Sequence, residues 1–149
     1  MTTGDVTIGR LVAEGRLVQQ VPDKATLRAT LDSAERDVPA ADANLEAFSP
    51  WSDAMLYEAG LRSARAIVQA SGFRIDAGAR AHVTTIDAAD ALTDGARHPI
   101  FVRLHRMRRR RNEFMYGMSP DPSASDLAQA RRDALALLSL ARTAVERIS

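Results

Sequence analysis

A long apolar stripe near the end of the chain constrains the fold most. Its members recur at spacings of three and four residues, the period of one helix face: Leu127, Ala130, Ala134, Leu137, Leu138, Ala141, Val145 and Ile148. Ser123 and Asp126, just before the stripe, are typical of a helix N-terminus. Because a helix with one apolar face must bury it against other elements, we expect a packed helical domain.

Proline, glycine and aspartate residues divide the rest of the chain into further helices, with almost no strand signal. We expect helices near residues 7–18, from the N-cap Asp23 to Pro39, from Pro50 to Gly72, from the N-cap Asp76 to about Ala91, and from Pro99 to Met118. Residues 40–48 read as a polar connection.

Length and composition favour one domain. The chain has 149 residues and only 5% aromatic content, so its core must be built mainly from Ala, Leu, Val and Met, which favours closely packed helices. The prediction is an all-α, antiparallel (up-and-down) bundle of about five to six helices over residues 1–149. A short N-terminal helix at about 7–18 covers a core bundle at about 23–148.

Several classes of site are not indicated. There is no cysteine, and the three histidines lack the paired spacing of metal ligands, so we expect no metal and no cofactor; His82 and His98 are interpreted as structural. The net charge of +1 gives no overall case for nucleic acid or membrane. No basic segment precedes an apolar one at the N-terminus, and no apolar stretch approaches about 20 residues. We expect a cytoplasmic protein with no membrane partner.

The basic character is local. Six of the nine residues from Arg103 to Arg111 are arginine. On a helix, Arg111 falls in the middle of an arc of apolar residues and Arg108 lies inside its edge, whereas the other arginines read as a solvated face. The apolar arc consists of Ile100, Phe101, Leu104, Met107, Phe114, Met115 and Met118; the arginines assigned to the solvated face are Arg103, Arg106, Arg109 and Arg110.

Arg111 requires a counterpart, because an uncompensated buried guanidinium costs several kcal/mol. Two alternatives are open: a salt bridge to a carboxylate such as Glu58 on another helix, or a phosphate ligand. Four more polar groups adjoin the same edge of the helix and complete the candidate site: His105, Arg108, Asn112 and Tyr116.

A succession of short motifs resembles the bacterial HEPN domains over roughly residues 7–147. The motifs are Tyr57-Glu-Ala59, Ser71-Gly72-Phe73-Arg74, Ala81-His82, and Arg108-x-x-Arg111-Asn112-x-x-x-Tyr116 before a long C-terminal helix. The resemblance implies an all-helical bundle that forms homodimers. Many members are metal-independent ribonucleases of toxin–antitoxin, defence and RNA-processing systems, with the signature Arg, four to six residues, then His.

Arg111 and Asn112 match the start of that signature, but Tyr116 stands where the ribonucleases have histidine. We therefore favour a degenerate, non-catalytic member that binds RNA or a nucleotide through Arg108, Arg111 and Asn112. The alternative is a metal-independent endoribonuclease with a composite active site at a homodimer interface. In it, Arg111 stabilises the phosphate, Asn112 orients it, and Tyr116 or His105 handles the proton. An antitoxin or a nucleotidyltransferase is the expected protein partner.

Overall fold

A computed structural model describes residues 1–117 and 121–149, and within them the chain is an all-α bundle, as predicted. The described elements are six helices and one small sheet: α1 (Thr3–Ala13), β1 (Leu17–Gln19), α2 (Lys24–Asn44), α3 (Ser49–Ala70), β2 (Phe73–Ile75), α4 (Ala81–Leu92), α5 (His98–Met115) and α6 (Ala124–Glu146). None of these helices is long and apolar enough to cross a bilayer. The predictions for Met118 and for the Phe114 side chain lie outside the described residues.

Helix α3 is the centre of the bundle. It packs against α2, α4, α5 and α6, and it buries residues on most of its faces. Gly60 allows this close approach, because a Cβ atom there would lie 3.0 Å from Leu104 Cδ1 of α5 and 3.5 Å from Leu137 Cδ1 of α6. The middle of α3 therefore fixes the position of α5, the helix that carries the arginines.

Three of the predicted helix ends are confirmed. The Ser123 hydroxyl accepts a hydrogen bond from Asp126 N, and the Asp126 carboxylate accepts one from Ser123 N, which together cap α6. Asp23 caps α2 by accepting from Thr26 N. Helix α3 ends at Ala70, and the predicted stop at Ser71 and Gly72 follows directly: Gly72 has a φ of +95°, a conformation that glycine adopts without strain.

The prediction of a first helix at residues 7–18 is wrong at both ends. Helix α1 starts at Thr3, because the Thr2 side chain accepts from Asp5 N in a capping box. It ends before Gly15, whose φ is +73°. Leu17 and Val18 then form β1, which pairs antiparallel with β2. The left-handed glycine turns the chain out of the helix, so these two residues pack as a strand.

The prediction that Asp76 caps α4 is also wrong. Asp76 N donates to the carbonyl oxygen of Arg16 at 3.0 Å and so extends the pairing of β1 and β2. The helix starts five residues later, with Arg80 at the N-cap position. Asp76 is held by Arg16, the residue just before β1, and no local sequence pattern indicated this contact.

Pro39 does not end α2, contrary to the prediction, and residues 40–44 are helical rather than a polar connection. Proline lacks the backbone N–H that would donate one helix hydrogen bond, yet the helix continues because side chains hold the carbonyl groups of the following turn. The Asn44 side-chain amide donates to the Ala40 carbonyl oxygen at 2.8 Å, and the Ser52 hydroxyl of α3 donates to that of Ala41. Ala41 is also buried in the core. Packing against α3 therefore overrides the local preference.

Candidate functional site

The arginines of α5 fall into two groups, and the first is structural. Arg103 donates two hydrogen bonds to Asp133 of α6, at 2.6 and 2.9 Å. Arg110 donates two to Asp53 of α3, at 3.1 and 2.9 Å. Both carboxylates are buried in the bundle. The prediction that Arg103 and Arg110 belong to a solvated face is therefore wrong, because acids on other helices require them as counterions.

In each of these two pairs, the positive charge of the arginine neutralises the negative charge of the buried carboxylate. The hydrogen bond to Asp53 raises the pKa of Arg110, as expected for a guanidinium held by a carboxylate. Gln129 donates a further bond to Asp133 at 2.9 Å. Arg106 and Arg109, by contrast, are exposed, as the sequence predicted. Among the described residues, this side of α5 has no cationic side chain that is both partly buried and unpaired.

The second group of arginines faces α3 and α4. Here the charges of Arg108 and Arg111 of α5 and of Arg65 of α3 all act on the side chains of Tyr57 and His82. We call this set the cationic cluster; its members are Tyr57, Glu58, Arg65, His82, Arg108 and Arg111.

Arg111 is partly buried and has a carboxylate partner. Its Nη2 lies 3.2 Å from Glu58 Oε1, and its Cζ lies 5.8 Å from the centroid of the Tyr57 ring. The salt bridge to Glu58, one of the two alternatives from the sequence, is thus present. The predicted apolar arc is confirmed at Ile100, Phe101, Leu104 and Met107, which are buried, but Met115 is 67% exposed.

The cluster carries more positive charge than its acid neutralises. Glu58 is its one carboxylate, against three guanidinium groups. Arg108 Nε is buried without a hydrogen-bond partner, and within the described residues Arg65 and Arg108 form no ion pair. A buried donor left unsatisfied costs about 1–3 kcal/mol, so this arrangement suits an anionic ligand.

Tyr57 and His82 form the neutral wall of the cluster. Tyr57 Oη lies 3.0 Å from His82 Nδ1. Burial raises the pKa of Tyr57 to about 12 and lowers the pKa of His82, so the folded state favours a neutral hydroxyl and a neutral imidazole. An imidazole that accepts from Tyr57 at Nδ1 carries its proton on Nε2, which is then a hydrogen-bond donor.

The other candidates from the sequence do not join the cluster within one chain. Asn112 is exposed, and Tyr116 is 80% exposed just after α5. His105 Nε2 lies 2.8 Å from Asp87 Oδ1 of α4, which occupies one of its ring nitrogens. The structure therefore assembles Arg108 and Arg111 but leaves Asn112, Tyr116 and His105 apart from them.

Sequence reasoning missed Arg65 and assigned His82 a structural role. Arg65 follows Glu58 by two helical turns on the same face of α3, so a search for cations near the proposed partner of Arg111 would have found it. No local pattern brings His82 next to Tyr57, because their contact depends on how α4 packs against α3.

Within residues 1–117 and 121–149, no group of three or more His, Cys, Asp or Glu side chains is arranged to hold a metal ion. Comparisons of the chain with protein-family models, curated proteins and solved structures give no match. The resemblance to HEPN domains thus depends on the motifs quoted for it, and the chemistry of the cationic cluster must be argued from its own geometry.

Proposed function

We propose that this protein is a HEPN-like, non-catalytic binder of RNA or a nucleotide, which holds a phosphate group in the cationic cluster. The observation that carries the proposal is the excess of guanidinium groups over carboxylates at Arg65, Arg108 and Arg111, with Arg108 Nε buried and unpartnered. A phosphate oxygen supplies the missing acceptor, and its charge offsets the excess.

The cluster offers a phosphate both positive charge and hydrogen-bond donors. Guanidinium groups from two helices approach one region, and planar guanidinium groups bind phosphate oxygens in pairs. A neutral His82 adds a donor without adding a charge. Glu58 holds Arg111 in position in the free protein, and a bound phosphate competes with Glu58 for it.

A metal-independent endoribonuclease is the second candidate, and one specific observation favours it. The Tyr57–His82 pair places an imidazole with a lowered pKa beside arginines that are able to stabilise charge on a phosphate. In this version His82 has the opposite tautomer: Nδ1–H donates to Tyr57 Oη, and Nε2 handles the proton in place of Tyr116 or His105. Arg111 stabilises the phosphate in both versions.

A homodimer is part of the proposal. Asn112 and Tyr116 are exposed at the C-terminal end of α5, next to the cluster along the same helix. A second copy that packs against this end of α5 would bring its own Asn112 and Tyr116 to a shared cleft. We further propose that an antitoxin or a nucleotidyltransferase acts on this surface, as the resemblance implies.

The test measures binding and cleavage of a labelled single-stranded oligoribonucleotide in EDTA. Arg108→Ala and Arg111→Ala are compared with Arg109→Ala, which removes an exposed arginine from the same helix. The two cluster variants should bind at least about tenfold more weakly, with a salt dependence reduced by about one phosphate contact each. The Arg109 variant should bind nearly as the wild type does.

The outcomes separate the two candidates. Binding without cleavage by the wild type supports the non-catalytic protein. Cleavage that disappears in Arg111→Ala and in His82→Gln supports the endoribonuclease. Equal binding by all three arginine variants, or none by the wild type, contradicts the proposal that the cluster holds RNA.

A further inference from the structure

A shallow groove adjoins the cationic cluster and shares Arg111 with it. The groove lies between α2, the first two thirds of α3 and the end of α5, and it has a volume of about 240 Å³. Its lining residues are Asp37, Trp51, Ala54, Met55, Glu58, Arg62, Arg111 and Met115. A cavity of about 150 Å³ holds a benzene ring, so this groove is large enough for a planar bicyclic ring system.

The groove is electrically balanced, unlike the cluster beside it. Arg62 Nη1 lies 3.1 Å from Asp37 Oδ2, and Arg111 pairs with Glu58. Its two cations are thus matched by two carboxylates, whereas the adjoining cluster also contains Arg65 and Arg108, for which no ion pair is found among the described residues. The groove therefore suits an uncharged part of a ligand whose anionic part is held by the cluster.

One wall of the groove is aromatic. Trp51 is 50% exposed in the first turn of α3, and its ring lies 5.9 Å from that of Phe48, centroid to centroid, with the planes tilted by 58°. Met115 is also exposed and lines the same groove. The contact with Phe48 limits the orientations of the indole, which favours its use as a stacking surface.

We propose that Trp51 is a base-stacking residue, and that the groove takes the nucleobase of the nucleotide whose phosphate binds to Arg108 and Arg111. This inference rests on the proposed function, and it adds that the groove recognises the base. A flat, neutral ring lies against the indole, while the phosphate lies across Arg111 in the cluster. The base comes from a single strand of RNA or from a free nucleotide.

The chain offers a direct reporter, because Trp51 is its only tryptophan. A stacked base should quench the fluorescence of Trp51. The protein is titrated with octaadenylate, AMP, ribose 5-phosphate and inorganic phosphate. Octaadenylate and AMP should both quench, whereas ribose 5-phosphate and phosphate, which lack a base, should displace labelled octaadenylate without quenching. Much tighter binding of octaadenylate than of AMP identifies a strand, and equal binding identifies a free nucleotide.

Variants of the stacking residue test the same point by affinity. Trp51→Leu should weaken the binding of labelled octaadenylate by about fivefold or more and leave that of ribose 5-phosphate unchanged. Trp51→Phe, which keeps an aromatic ring, should retain most of the affinity and guards against a folding defect. Leu135→Ala is the matched control, since Leu135 is another partly exposed apolar side chain, on α6.

Two results overturn the inference, and a third affects the proposed function. If octaadenylate binds without quenching and Trp51→Leu binds it normally, the base does not stack there, although the phosphate site stands. If the Trp51 emission shifts with protein concentration alone and RNA does not alter it, a second copy covers the groove. If none of the four ligands binds to the wild type, the proposed function itself fails and takes this inference with it.

Discussion

Two sides of one helix use the same residue type for different purposes. On the side of α5 that faces Asp53 and Asp133, Arg103 and Arg110 each form a two-bond pair with a buried carboxylate. On the side that faces α3 and α4, Arg108 and Arg111 join Arg65 around a single acid.

The difference lies in how the acids of the neighbouring helices are placed. A buried carboxylate that has one arginine partner makes that arginine part of the packing, since losing it would leave a buried charge. Guanidinium groups that outnumber their acids gain little from the fold and retain the capacity to bind an anion. The contrast therefore separates arginines that stabilise the protein from arginines that are available to a ligand.

Removing Arg110 should produce the largest change in stability. Arg110→Ala leaves Asp53 buried without its guanidinium, so we expect the free energy of unfolding to fall by about 2–3 kcal/mol. Urea denaturation followed by circular dichroism measures the loss, with Arg109→Ala expected to change it by less than about 0.5 kcal/mol. Equal midpoints for the two variants would show that the Asp53 pair is not structural and would remove the contrast between the two sides.

Removing the acid of the cluster should raise the affinity of the cluster for an anion. Glu58→Gln frees Arg111, so we expect the affinity for octaadenylate to rise by about three- to tenfold and the free energy of unfolding to fall by less than about 1 kcal/mol. Fluorescence polarisation measures the affinity. Asp42→Asn is the control, because it removes the same charge from an exposed pair with Arg131. An equal gain in both variants would point to overall charge rather than to the cluster.

The smallest expected effect is a pH dependence of stability from His82. Burial lowers its pKa in the folded state below the ordinary 6.5, so unfolding takes up a proton at mildly acidic pH. The stability that His82 contributes is present above about pH 6.5 and is lost as the pH falls through the lowered pKa.

Urea midpoints at a series of pH values from about 8 to 5 measure this dependence. The wild type should lose more stability towards acidic pH than His82→Gln, whose side chain does not titrate. Parallel pH profiles for the two proteins would mean that burial in the cluster does not disfavour protonation of His82.

Sequence patterns predicted the helix ends correctly where the capping group lies within a few residues of the end that it caps. Asp23 and Ser123 cap helices with their own side chains, and Gly72 ends one with its own backbone. The predictions failed at Pro39 and Asp76, where contacts with distant residues decide the outcome. Packing and strand pairing outweigh the preference of a single residue for one conformation.

The candidate site shows the same division. The sequence identified Arg108 and Arg111 as the unusual arginines of α5 and named Glu58 as an alternative partner of Arg111, because helical periodicity places Arg111 among apolar residues. It did not identify Arg65, and it assigned Arg103 and Arg110 to solvent. Those outcomes depend on side chains that other helices bring to α5.

By itself, then, the sequence determined that the chain is a helical bundle and which helix carries its excess of cations, because amphipathic periodicity is a local property. Only the tertiary structure decided which of those cations have counterions and which neutral side chains stand beside them. Electrostatic interactions act through space between residues far apart in the chain, so the balance of charge around Arg110 and around Arg111 exists only once the helices have packed.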